Sequence, residues 1–170
     1  HWAELIDVTR RHHEAAGRKV VTVSPFNEPD LTETGQGTLE DFYHIAEELR
    51  RMPAFDSIRI SGGNTLNTDR ALEYYTYLRD QLDEGNTHQL AGTFDHYAEF
   101  FQTVRADGRH ATNDELHNVM EAMVGSEYGL QTGIWWGSAE YARGEFCKAT
   151  DGQRLAYAEH RPNWTAASVY

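Results

Sequence analysis

The stretch that decides the fold runs Val20-Val21-Thr22-Val23-Ser24-Pro25-Phe26-Asn27-Glu28-Pro29. Its β-branched half reads as a buried strand, and its end delivers the Glu28 carboxylate where the strand stops. Asn27 sets an amide beside that carboxylate, while Pro29 fixes φ, withholds a backbone donor and closes the pairing. Barrels built of alternating strands and helices gather their catalytic groups at the carboxyl ends of the strands. The triplet alone is weak, since a strand-end Glu also caps helices or pairs with a neighbouring cation. A second carboxylate in the same setting strengthens it, and Glu115 is that carboxylate.

Working outward, the apolar spacing of Trp2, Leu5, Ile6 and Val8 predicts a helix ending at Gly17, before a strand over Lys19 to Ser24. Thr38 with Asp41 forms a capping box for a helix whose stripe is Leu39, Phe42, Ile45, Ala46 and Leu49. Ser57 to Ser61 reads as a short strand before Gly62-Gly63. A helix capped by Thr68 runs over Ala71, Leu72, Tyr75 and Leu78 to Leu82, with Gly85 as its stop. Gln89 to Phe94 is strand-like and ends at Asp95-His96-Tyr97, with a helix over Phe100, Phe101 and Val104 behind it. His110 to Asn113 is a strand delivering Asp114 and Glu115. Val119 to Leu130 is helical with Met120, Met123 and Val124 inward, and Thr132 to Trp136 is the last strand. A helix over Gln153 to His160 and an extended tail, Asn163 to Tyr170, follow.

Strand and helix alternate at about 25–30 residues per unit, which predicts an α/β fold with a parallel sheet. No Gly-rich phosphate fingerprint follows a strand, which weakens the doubly wound alternative. Polar and aromatic residues close nearly every strand instead, so the reading is a partial (β/α)8 TIM barrel, residues 1–170 forming one unit. The predicted sheet is an open, five-stranded barrel sector with helices on its convex side.

Composition narrows the function. Fifteen basic residues against 27 acidic ones give −12, which disfavours nucleic acid and anionic membrane surfaces as partners. No apolar run reaches the ~18 residues of a membrane span. Cys147 is the only cysteine, which excludes an internal disulfide, and it has no Cys or His beside it to make it a nucleophile. Nine histidines invite a metal reading. His12-His13 sit on the first helix facing different ways, and His96, His110 and His117 show no HxH or HExxH spacing, so no metal or other cofactor is expected. Asn163-Trp164-Thr165 matches a glycosylation sequon. Residue 1 is His and the chain opens in mid-helix pattern, so it reads as cut from something longer.

The motifs taken together carry a resemblance. Asn27-Glu28-Pro29 at one strand end, Asp95-His96-Tyr97 two strands later, Glu115 on the next and Trp135-Trp136 on the last resemble the catalytic half of the clan-A retaining glycoside hydrolases. That superfamily holds its acid/base on barrel strand four and its nucleophile on strand seven. The resemblance implies strands four to eight with their helices, and a missing N-terminal half of the barrel as partner. It implies that Glu28 is the proton donor and Glu115 the ionised attacker. Asn27 would bind the sugar 2-hydroxyl, His96 or Tyr97 would orient Glu115, and Trp135 or Trp136 would be the sugar platform, with His117 and Asn118 lining the site. A carbohydrate substrate and an extracellular or periplasmic location follow from it. The run Asp114-Glu115-Leu116-His117-Asn118 is more polar than the simplest family patterns and leaves the sugar open. Glu121 is a rival nucleophile, but its helical spacing reads as a solvent-facing residue. Glu127 and Glu140 are weaker candidates, and Glu145 reads as a partner of Arg143. Two rivals stand beside the hydrolase: a carbohydrate-binding pseudo-enzyme and a metal-dependent barrel hydrolase.

Overall fold

A computed structural model describes residues 1–136, and everything below concerns those residues. The elements are α1 (Trp2–Ala15), β1 (Thr22–Val23), α2 (Leu39–Arg50), β2 (Arg59–Asn67), α3 (Thr68–Leu78), β3 (Glu84–Ala91), α4 (Phe94–Ala106), β4 (His110–Leu116), α5 (Val119–Tyr128) and β5 (Thr132–Trp135). The five strands pair in sequence order, every pair parallel, in a curled sheet resembling half a barrel. The expected α/β alternation and open five-stranded parallel sheet are therefore present.

Local chemistry starts the helices where the sequence places them. Thr38 accepts a hydrogen bond from the Asp41 amide, and Asp41 accepts one from the Thr38 amide, the reciprocal box read from the sequence. Thr93 caps α4 through the His96 amide. At α3 the cap is one residue earlier than expected: Asn67 accepts from the Asp69 amide, and Thr68 is already helical. The buried faces follow the 3.6 period, with Phe42, Ala46 and Leu49 on α2, Ala71, Tyr75 and Leu78 on α3, and Tyr97, Phe100, Phe101 and Val104 on α4. These residues meet Ile60 and Ala111 from the strands to form the core behind the sheet.

Several strand boundaries differ from the sequence reading: β1 is only the partly exposed Thr22–Val23 rather than a buried strand from Lys19 to Ser24, and β4 runs past Asn113 to Leu116. β2 runs through Gly62-Gly63 to Asn67, and β3 starts at Glu84, so Gly85 lies inside a strand rather than stopping a helix. A Cβ on Gly85 would lie 2.4 Å from Val104 Cγ2 and 3.2 Å from Tyr75 Cε2, so the glycine is what lets α3 and α4 seat on the sheet. The strand expected at Gln89 to Phe94 is displaced toward the N-terminus, and Phe94 instead opens α4. In α5, Met120 and Met123 are exposed rather than inward, while Glu121 is fully buried. Glu121 is therefore not the solvent-facing helix residue its spacing predicts, because it turns back to bond the start of its own helix. Glu140, Glu145, Cys147, the Gln153–His160 helix, the Asn163 sequon and the 163–170 tail lie outside the described residues.

Candidate functional site

The loop after β1 is fixed to β2 by its own polar groups. Asp30 accepts hydrogen bonds from the Leu66 and Asn67 amides at 2.7 and 2.9 Å, and the Glu28 amide donates to the Asn64 carbonyl at 2.9 Å. Glu28 and Asn64 both hold positive φ, 49° and 47°. Non-glycine residues in that region cost about 1–3 kcal/mol and persist where the surroundings over-determine them, which is a habit of functional sites. Phe26 and Pro29 are buried on either side, so the loop exposes Asn27 and aims Glu28 along the strand ends. The Asn27 carbonyl accepts from Gln36 Nε2 at 2.6 Å.

Glu28 and Glu115 do come together. A carboxylate oxygen of each and a ring nitrogen of His88 all lie within 4.8 Å of one another. His88, on β3, is wholly buried. Its Nδ1 sits 3.0 Å from Glu28 Oε1 and 3.9 Å from Glu115 Oε2, and its Nε2 sits 2.9 Å from Asp114 Oδ1. Burial works against charge on the ring, yet the bonds to Asp114 and Glu28 outweigh it and raise the His88 pKa. Asp114 shows the mirror case: burial would raise its pKa, but hydrogen bonds from His88 and Asn86 hold it below the ordinary value. The spacing of the three groups lies in the range of a cation site. Both His88 nitrogens already point at carboxylates, so a proton on the imidazole balances their charge here.

Glu115 differs from Glu28 in its surroundings. Burial raises its pKa, His88 opposes the shift, and the Glu28 and Asp114 charges add to it. The Asn113 side chain accepts from the Glu115 amide and orients its backbone. The rings facing Glu115 are those of His88 and His117, each with a nitrogen 3.9 Å from its Oε2, not the His96 or Tyr97 anticipated from sequence. His96 is on the surface of α4 with its Nδ1 2.7 Å from Asp69, and Tyr97 is buried in the core, where its hydroxyl accepts from Asn113 Nδ2 at 2.9 Å. Both lie on a helix because β3 ends at Ala91, which moves the strand-end position back to His88.

Beyond Glu115, His117 stacks on Trp136 with ring centroids 5.8 Å apart and planes 27° from parallel. Trp136 is 47% exposed, and Trp135 pairs opposite Leu116 in β5. Asn118 caps α5 and donates to Glu121 Oε1 at 2.6 Å. His110 lies at the other end of β4, where its Nε2 meets Thr132. The site therefore brings together Glu28, Glu115, His117 and Trp136 with His88 and Asp114, and leaves His96 and Tyr97 aside, while Asn27 is exposed beside Glu28 and, among the described residues, has only its carbonyl bonded, to Gln36. A missed signal was present in the sequence, since Asn86-Thr87-His88 is a run of polar residues in a segment with no solvent-facing alternation. No family model, no curated protein and no solved structure matches this chain.

Proposed function

We propose that this chain forms about strands four to eight of a TIM barrel and is the catalytic part of a retaining glycoside hydrolase. The observation that carries the reading is the convergence of Glu28 and Glu115, from the ends of β1 and β4, with carboxylate oxygens within 4.8 Å. Double displacement uses two carboxyl groups that converge on one sugar carbon, about 5–5.5 Å apart, and the oxygen contact of Glu28 and Glu115 is a convergence of that kind. Glu115 attacks the anomeric carbon while Glu28 gives its proton to the glycosidic oxygen, releasing the leaving group and forming a glycosyl ester. Glu28 then takes a proton from water, which attacks the same carbon and frees Glu115. The His88 ring, held through Nε2 by Asp114, lies with Nδ1 3.0 Å from Glu28 Oε1 and orients that carboxyl, whose proton comes from solvent. Trp136, braced by His117, offers a flat apolar face to a sugar ring.

The sheet itself supports the larger barrel. Ser61 Oγ, Asn64 Oδ1 and Asn86 Oδ1 are buried without a hydrogen-bond partner. Ser61 and Asn86 line the same concavity as Ser24, Glu84, Thr112 and Asp114. Further strands closing the barrel would lie over this polar concavity. A poly- or oligosaccharide is the substrate class this reading takes, and an extracellular or periplasmic location goes with it.

The test is hydrolysis of a panel of aryl and natural glycosides by the native protein carrying this sequence, with the anomeric configuration of the first-formed sugar followed by NMR. Retained configuration, and no turnover in Glu115→Gln, are expected. Inverted product, or near-normal rates on a natural glycoside in either Glu28→Gln or Glu115→Gln, would overturn the reading. Saturable sugar binding with no turnover would favour a binding module instead.

A further inference from the structure

Glu121 is a fully buried carboxyl that the mechanism above does not use. Its Oε2 accepts from the His117 amide at 2.9 Å and its Oε1 from Asn118 Nδ2 at 2.6 Å, so it closes the start of α5. Capping alone would explain those bonds. The His117 ring is less easily explained, because its Nδ1 is buried without a hydrogen-bond partner and lies 3.9 Å from Glu121 Oε2. Its Nε2 lies 3.9 Å from Glu115 Oε2. The ring thus stands midway between a sealed carboxyl and the attacking one, and a neutral imidazole has one N–H to offer.

We infer that Glu121 is a positioning residue that sets the tautomer of His117 and, through it, decides whether Glu115 receives a hydrogen bond. With Glu121 neutral, its O–H faces Nδ1 and the ring proton sits on Nε2, directed at Glu115. With Glu121 ionised, the ring proton moves to Nδ1 and Glu115 faces a bare nitrogen. Both gaps are 3.9 Å, so either bond requires the ring to move closer to its partner, as catalytic hydrogen bonds tighten when substrate binds. Only proton positions change, and no bond to carbon is involved.

The electrostatics agree with this geometry. Burial raises the Glu121 pKa to about 7, against hydrogen bonds from the His117 amide and Asn113 and the His88 charge. Burial lowers the His117 pKa and the His88 charge adds to that, against a hydrogen bond to the Glu115 backbone and the Glu28 charge, so the ring is held toward its neutral form where Glu121 titrates. The groups facing the pair are His88 on β3, Glu115 and Asn113 on β4, Tyr97 on α4, Glu28 after β1 and Asn118 at the start of α5. Tyr97, its pKa raised by burial, remains neutral throughout this range.

The inference rests on the glycosidase reading only for the role of Glu115, and its test does not need substrate. Nitrogen-15 NMR of the His117 ring, across pH 5.5 to 8.5, reports the tautomer directly. The expected result is Nε2–H at the acid end, switching to Nδ1–H with the midpoint of Glu121. In Glu121→Gln, which cannot ionise, the switch should vanish and a single tautomer should persist across the range. In Glu121→Met the switch should vanish and kcat fall about tenfold at little cost in KM, the rate value of one hydrogen bond. A single tautomer at every pH in the unsubstituted protein, or an imidazolium throughout, overturns the inference and returns Glu121 to capping. If the switch follows Glu121 but no glycoside is hydrolysed, the glycosidase reading fails while the coupling stands. Glycoside turnover without the switch overturns the coupling alone.

Discussion

Replacing His88 by Leu tests the centre of the site through stability, with no substrate required. The side chain is wholly buried and makes two bonds to carboxylates, 3.0 Å to Glu28 and 2.9 Å to Asp114. A hydrogen bond to a charged group contributes about 1.5–3 kcal/mol. Asp114 is 35% exposed and Glu28 15%, so solvent screening puts the Asp114 bond at the low end of that range. Together the two bonds are worth about 4 kcal/mol, and burial of the leucine returns about 1 kcal/mol. The net loss is about 3 kcal/mol, which at a urea slope of about 2 kcal/mol/M lowers the midpoint by about 1.5 M. The pH dependence follows from the two shifts. Asp114 has a lowered folded pKa, so its contribution is present above its unfolded value of 3.8 and is lost as pH falls through the folded value. His88 has a raised folded pKa, so its contribution is full below 6.5 and is lost as pH rises through the folded value. The gap between His88→Leu and the unsubstituted chain should therefore be widest between about pH 4 and 6.5 and narrow on both sides. Urea titrations followed by circular dichroism at pH 3, 5.5 and 9 measure it. A loss under about 1 kcal/mol at pH 5.5, or an equal loss at pH 3, would refute the ion cluster as described.

Three further outcomes are expected. On the proposed mechanism Glu115 attacks in its ionised form, and since burial raises its pKa the acid limb of kcat/KM should lie above the 4.5 of an ordinary glutamate and move down in a Glu28→Gln variant, which removes one raising charge; pH–rate profiles on an activated aryl glycoside read both. Azide should rescue Glu28→Ala as a glycosyl azide of retained configuration, identified by NMR of the product, and rescue giving the inverted azide from that variant would reassign Glu28 as the attacking group. Gly85→Ala should cost about 1–3 kcal/mol in thermal or urea unfolding, since the new methyl meets Val104 Cγ2 at 2.4 Å, whereas Gly108→Ala, with open space but φ +71°, should act through backbone strain alone.

The sequence by itself determined the alternation of strands and helices and the two carboxylates worth watching. Helices were legible because their cues are local. The Thr38–Asp41 box and the 3.6-residue stripes of Phe42, Ala46 and Leu49 or Phe100, Phe101 and Val104 lie within one element and carry their own physics. Glu28 and Glu115 stood out because strand ends are marked by β-branched runs, Pro29 and a change to polar residues.

Only the tertiary structure decided β3, and with it the middle of the site. Its buried run Glu84-Gly85-Asn86-Thr87-His88 has no apolar side chain, because one face meets helices at van der Waals range through Gly85 and the other faces a polar concavity. Hydrophobic periodicity has nothing to register in such a strand, so the reading slid to Gln89–Phe94 and assigned His96 and Tyr97 the place that His88 occupies. Glu121 was misread for a related reason: a helix pattern gives the angle of a residue, but burial of a carboxyl depends on which backbone amides stand ready to receive it. Those amides, from His117 and its neighbours, are set by how β4 enters α5. Spacing along the chain fixes which groups are available, and the bonds from His88 to Glu28 and Asp114, 60 and 26 residues away in sequence, arise only when the parallel strands lie in one sheet.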